Sequence, residues 1–116
     1  MYIESNMPRS AHTCPPLVKK VMNSHADALQ EIILNKIREE RKAQDEKWGE
    51  LNHHPLMWFS IIGEEFGEML HAFNEYTFDN DINHLEDMQR EAIQVAACCV
   101  AMIECIERQA SKDLIP

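Results

Sequence analysis

Apolar positions recur along this chain at helical spacing. Between Pro55 and Tyr76 the row Phe59, Ile62, Phe66, Met69 and Phe73 falls on one stripe at roughly 100° per residue, the pattern of an amphipathic helix that docks on a neighbour. A second pattern starts near His84, where Leu85, Met88, Ala92, Val95, Cys99, Met102 and Ile106 alternate by threes and fours in a heptad-like seam. Ile93, Ala96, Val100 and Ile103 widen that seam, so the second half of this helix is expected to be covered on most of its circumference. A third apolar face, Leu29, Ile32, Ile33 and Ile37, predicts a helix from His25 to about Lys47, with Ser24 as its cap and an earlier helical start at Leu17 to Met22. No strand pattern stands out. The fold class expected is all-α, an antiparallel helical bundle.

The breaks between helices are also readable. Gly49 is a helix stop and Pro55 a favourable first helical residue, so residues 49 to 54 form a connection. Thr77 to Asp81 is a turn cluster, with Asp81 or Asn83 available as the next cap. The charge run Glu39 to Lys47 reads as a solvated helix end. Residues 1–24 are expected to be an arm, partly mobile or a short helix, residues 25–110 a single helical domain, and residues 111–116 a fraying tail. One chain of this size hardly supplies partners for all its apolar faces. A homodimer with a four-helix core, or a dimer of dimers, is therefore expected.

Glu65 breaks the apolar pattern. It falls beside the stripe, bordered by Trp58, Ile61 and Ala72, where an ionised carboxylate is costly unless a cation meets it. Glu68 follows at i+3, close enough for both side chains to reach one point. In the second pattern Glu91 and Gln94 repeat the i, i+3 arrangement beside another seam. Such acid pairs are commonly a solvated helix face, but two of them beside apolar seams suit a hard divalent cation such as magnesium or manganese held between facing helices. Trp48, Asn52, His53 and His54 lie in the connection ahead of these acids. They offer stacking and hydrogen bonding to a ring, or else make a well-packed loop with Trp48 and Trp58 as anchors; the two histidines are also potential metal ligands.

Charge narrows the partners. With 20 acidic against 11 basic side chains and a formal net charge of -9, the chain is poorly suited to nucleic-acid polymers or anionic membranes. A small anionic ligand would need bridging cations. Cys14, Cys98, Cys99 and Cys105 match neither a zinc spacing nor a disulfide framework and read as small core residues in a reducing compartment. No apolar run has the length of a signal peptide core or a membrane span, so a cytoplasmic location is expected.

From Glu40 to Glu107 the sequence resembles the MazG-like, all-α nucleoside triphosphate pyrophosphohydrolases, which carry an EExxE element followed by ExxD on antiparallel helices. Glu64-Glu65-Phe66-Gly67-Glu68 matches the first element, and Glu91-Ala92-Ile93-Gln94 matches the second except that glutamine replaces the final aspartate. The lead-in Gln44 to Gly49 followed by Asn52-His53 is similar to phage- and mobile-element-type members. The resemblance implies an enzyme that hydrolyses a nucleoside triphosphate, including deoxynucleotides, to the monophosphate and pyrophosphate for nucleotide-pool sanitising or control. It implies metal ligands at Glu65, Glu68 and Glu91 with Gln94 at the fourth place, and magnesium or manganese as cofactor. Glu64, Glu65, Glu68 and Glu91 would act in catalysis, orienting water for attack without a covalent nucleophile. Lys47, Trp48, Asn52, His54 and Trp58 would hold the substrate. Because Gln94 brings no charge, a non-catalytic helical sensor of metal or nucleotide is the alternative.

Overall fold

The structure, a computed structural model, describes residues 16–113, with side chains over residues 23–112. It contains three helices and, among the described residues, no strand: α1 (Pro16–Trp48), α2 (Pro55–Asp79) and α3 (Ile82–Asp113). The all-α expectation is met. The chain divides into two compact units, Met1–Leu34 and Asn35–Pro116, and α1 runs from the first into the second.

Helix ends follow the local chemistry. Gly49 adopts φ 72, a left-handed conformation that glycine takes at little cost, and its N–H donates to the Asp45 carbonyl at 2.8 Å. Pro55 opens α2, while His54 Nδ1 accepts from the Leu56 N–H at 3.2 Å and caps that helix. Asn80, at φ 55, closes α2 by donating to the Tyr76 carbonyl. Asp81 then caps α3 by accepting from the Asn83 N–H at 3.0 Å. Three expected boundaries shift. α1 passes through Ser24 without interruption, so no new helix starts there; α2 continues through Thr77, Phe78 and Asp79; and α3 extends beyond Ser111 to Asp113. The expectations for residues 1–15 and 114–116 lie outside the described residues.

The two-residue turn at Asn80 and Asp81 folds α3 back along α2, and the two helices pack on each other. Their most buried side chains are Trp58 and Ala72 of α2 and Ala97, Cys98 and Cys105 of α3. Within the single chain the expected docking stripe of α2 is covered only in part, at Ile62 and Met69. Phe59 is 82% exposed, and Phe66 and Phe73 are also exposed; the covered face is the one that carries Trp58, Ile61, Glu65 and Ala72. The same offset occurs in α3, where the alanine and cysteine positions are deepest while Val100, Ile103 and Ile106 stay exposed. Periodicity identifies that a helix is amphipathic, but the broad apolar arcs here left the inward direction undetermined.

The charge run at the end of α1 is only partly solvated. Arg41, with 13% of its side chain exposed, donates to both oxygens of Glu104 on α3 at 3.0 and 3.2 Å. Gln44 donates to Cys98 Sγ at 3.7 Å. In the first unit Leu29, Ile32, Ile33 and Leu34 are exposed.

Candidate metal centre

The antiparallel pairing of α2 and α3 brings the two acidic patterns together. Glu65 and Glu68 project from successive turns of α2, Glu91 comes from α3, and one oxygen from each carboxylate lies within 4.8 Å of the others. Oxygens that ligate one hard cation at about 2.0 to 2.6 Å stand up to about 5 Å apart across it, so the spacing and the all-oxygen donor set both fit such an ion. Glu65 and Glu91 are half-buried and Glu68 is exposed. Among the described residues no lysine or arginine forms an ion pair with any of the three.

Electrostatics make the cluster uncomfortable without a counter-charge. Burial pushes the Glu65 carboxyl above the ordinary carboxylate value, and the charges of Glu68, Glu91, Glu64 and Glu40 push it further. Burial likewise raises Glu91, reinforced by the charge of Glu68 and a hydrogen bond with it, and only partly opposed by Arg90. Gln94 lies one turn beyond Glu91. With its amide nitrogen turned inward it donates to Glu65 Oε2 at 3.0 Å and Glu91 Oε2 at 3.3 Å; the opposite orientation sets acceptor against acceptor.

A cavity of about 1050 Å³ adjoins the cluster, with Glu64, Glu65 and Gln94 in its wall. Ligand pockets usually hold about 300–1,000 Å³, so it has room for a nucleotide. Lys47, Trp48, His53 and Trp58 also line it. Lys47 Nζ lies 4.6 Å from the centre of the Trp48 ring, and Trp48 is 55% exposed rather than a core anchor. Trp58 does anchor the core at 3% exposure, with the His53 ring edge-on at 5.1 Å. Its indole N–H is buried and, among the described residues, has no hydrogen-bond partner, a rare condition that a ligand acceptor in the cavity would relieve.

Two residues singled out for substrate do not line the cavity. His54 uses Nδ1 to cap α2, and Asn52 accepts from Arg108 and donates to Glu50. Glu68 and Glu91 belong to the acidic cluster but not to the cavity wall. Conversely, Arg41, Gln44, Cys98 and Arg108 line it and were not anticipated. Arg41, Gln44 and Trp48 share one helix face at i, i+3 and i+7, which was the available signal for the first two. Cys98 is buried, and burial raises its thiol pKa first, then the charge of Glu65; it reads as packing rather than as a nucleophile.

A second group, Glu75, Asp79 and His84, sits at the α2–α3 turn with similar spacing. Here His84 Nε2 lies 3.4 Å from Asp79 and His71 Nε2 lies 3.6 Å from Glu75, so neighbouring imidazoles already partner the acids. No helix among the described residues is long and apolar enough to cross a membrane. Comparison of the chain with family models, curated proteins and solved structures returned no match.

Proposed function

We propose that this protein is a magnesium-dependent hydrolase that converts a nucleoside triphosphate, including deoxynucleotides, to its monophosphate and pyrophosphate, with manganese able to replace magnesium. The observation that carries the reading is the cluster of Glu65, Glu68 and Glu91, which has no lysine or arginine ion-pair partner among the described residues and opens through Glu65 into a nucleotide-sized cavity. The donor set fits a hard divalent cation, with Glu65, Glu68 and Glu91 as its ligands and the Gln94 amide at a fourth place. Such an ion, when bound, supplies charge neutralisation for the phosphates and lowers the pKa of water.

The chain's own groups have separable roles in this reading. Glu64, exposed on the cavity wall beside Glu65, accepts a hydrogen bond from the attacking water and orients it. Lys47, which has no carboxylate partner among the described residues, meets phosphate oxygens. The Trp48 face stacks on the base, and the orphaned Trp58 N–H donates to an acceptor on the ligand. Cleavage needs no covalent nucleophile, because positioning and electrostatics carry phosphoryl transfer. The resemblance to MazG-like pyrophosphohydrolases supports the same assignment, and the free cysteines Cys98, Cys99 and Cys105 go with a reducing, cytoplasmic location.

The test is a panel of canonical and damaged nucleotides assayed for pyrophosphate with magnesium. At least one is expected to be cleaved, and Glu68→Gln should lower turnover about a hundredfold or more while the helices stay folded, the scale of losing a key electrostatic contact. A neutral amide where a fourth carboxylate would add attraction favours one other reading, a metal- or nucleotide-binding sensor. Wild-type protein that binds magnesium and nucleotide but releases no pyrophosphate across the panel establishes the sensor.

A further inference from the structure

Among the described residues no lysine or arginine forms an ion pair with the three carboxylates, so without a bound ion a donor of positive potential beside them eases their mutual repulsion. The Gln94 amide is placed to be that donor. With the amide turned so that it does not set acceptor against acceptor, its nitrogen reaches one oxygen of Glu65 and one of Glu91, on different helices, at 3.0 and 3.3 Å. These are the two half-buried members of the cluster, where solvent compensates least. A primary amide differs from an aspartate or glutamate at this place in one respect that matters. Rotation by about 180° about its terminal bond exchanges an NH2 donor for a carbonyl acceptor of nearly equal size.

We infer that Gln94 is a positioning residue with two settings: its NH2 bridges Glu65 and Glu91 in the ion-free protein, and its carbonyl turns inward when a divalent cation binds between the carboxylates. The inference rests on the proposed cation site but not on turnover. In the first setting the amide holds the two carboxylates, and so α2 and α3, in register against their mutual repulsion. In the second it contributes an oxygen without a charge. Cation binding therefore has to break two hydrogen bonds and gains no fourth negative charge, which leaves the ion weakly held until phosphate oxygens add their own attraction. The glutamine couples loading of the ion to arrival of the nucleotide.

Two near-isosteric variants separate the settings. Gln94→Glu retains an oxygen ligand but loses the donor; it should lower the melting temperature in chelator and raise manganese affinity, measured by electron paramagnetic resonance, on the order of tenfold or more, as expected for one added charge near the ion. Gln94→Met loses both functions and should lower both the ion-free melting temperature and the manganese affinity. The wild-type protein gives a reading that does not depend on the variants folding. With selective nitrogen-15 labelling, the Gln94 side-chain NH2 protons should exchange slowly with water in chelator and become fast-exchanging on addition of magnesium.

Protons that remain equally protected with saturating magnesium overturn the inference, as do two folded variants that match wild type in chelator. If protection is lost as expected but no nucleotide is hydrolysed, the two-setting amide stands and the hydrolase reading fails. If no divalent cation binds at all, both fall.

Discussion

At the scale of single residues, the informative positions are those whose chemistry conflicts with their surroundings. Glu65 was legible in the sequence because an acid flanked by Trp58, Ile61 and Ala72 has to be explained, and it is indeed half-buried in the acidic cluster. Arg41 was not legible, because a charge inside a charged run carries no mark of the long-range partner, Glu104, that half-buries it. Burial and neighbouring acids hold Glu65 and Glu91 protonated to higher pH than the ordinary 4.5 of the unfolded chain. Folding then takes up protons, so the stabilisation is complete below about pH 4.5 and is lost as pH rises through the raised values. Wild-type protein in chelator should therefore show a melting temperature that falls as pH rises above that point, and the fall should shrink in Glu65→Gln. An equal slope in the two proteins contradicts the assignment. Trp58 provides a second residue-scale prediction. Trp58→Phe removes a buried N–H that has no partner among the described residues, so thermal stability should change little beyond the loss of ring area. Nucleotide affinity measured by calorimetry should weaken about tenfold, since a ligand acceptor loses its donor. Unchanged affinity would mean that the indole N–H faces no ligand.

At the scale of elements, the punctuation of the chain was more legible than the facing of its helices. Gly49, Pro55 and Asp81 act locally, through one backbone conformation or one hydrogen bond each, and all three perform the expected roles. The inward face of α2 depends on which side α3 occupies. No local rule chose between the phenylalanine stripe and the neighbouring row carrying Trp58 and Glu65. The connection between α1 and α2 also gains its shape from a distant residue. Arg108 of α3 donates to the Leu51 carbonyl at 3.1 Å and to Asn52 Oδ1 at 3.2 Å, and pairs with Glu50 at 3.0 Å. Arg108→Ala should free this segment and lower the melting temperature by about 4 to 8 °C, the equivalent of roughly 1 kcal/mol in a domain of this size. Amide hydrogen exchange should accelerate at residues 50 to 54 while the middle of α3 keeps its protection. Uniform acceleration along α3 would mean that Arg108 supports the helix rather than the connection.

At the scale of the whole molecule, helical periodicity and the scarcity of glycine were enough to read an all-α chain, because they reflect the repeat of the backbone itself. The partners of the outer faces were not legible, since an apolar stripe requires cover without specifying its source. Phe59, Phe66 and Phe73 on α2 and Ile103 and Ile106 on α3 are exposed in the single chain, more apolar surface than a lone soluble chain ordinarily shows. We propose that a second copy covers them. Analytical ultracentrifugation at micromolar concentration should give a dimer or a larger assembly, and Phe59→Glu combined with Phe73→Glu should shift it towards monomer; a folded wild-type monomer at that concentration contradicts this.

The most direct measurement of the central claim is anomalous diffraction at the manganese edge from crystals grown with manganese and a non-hydrolysable nucleoside triphosphate analogue. The account predicts a peak with oxygens of Glu65, Glu68 and Glu91 at about 2.0 to 2.6 Å, and with phosphate oxygens of the analogue completing the shell from the cavity side. Manganese at Glu75, Asp79 and His84 with none among the three glutamates, or nucleotide bound with no metal peak, would contradict it.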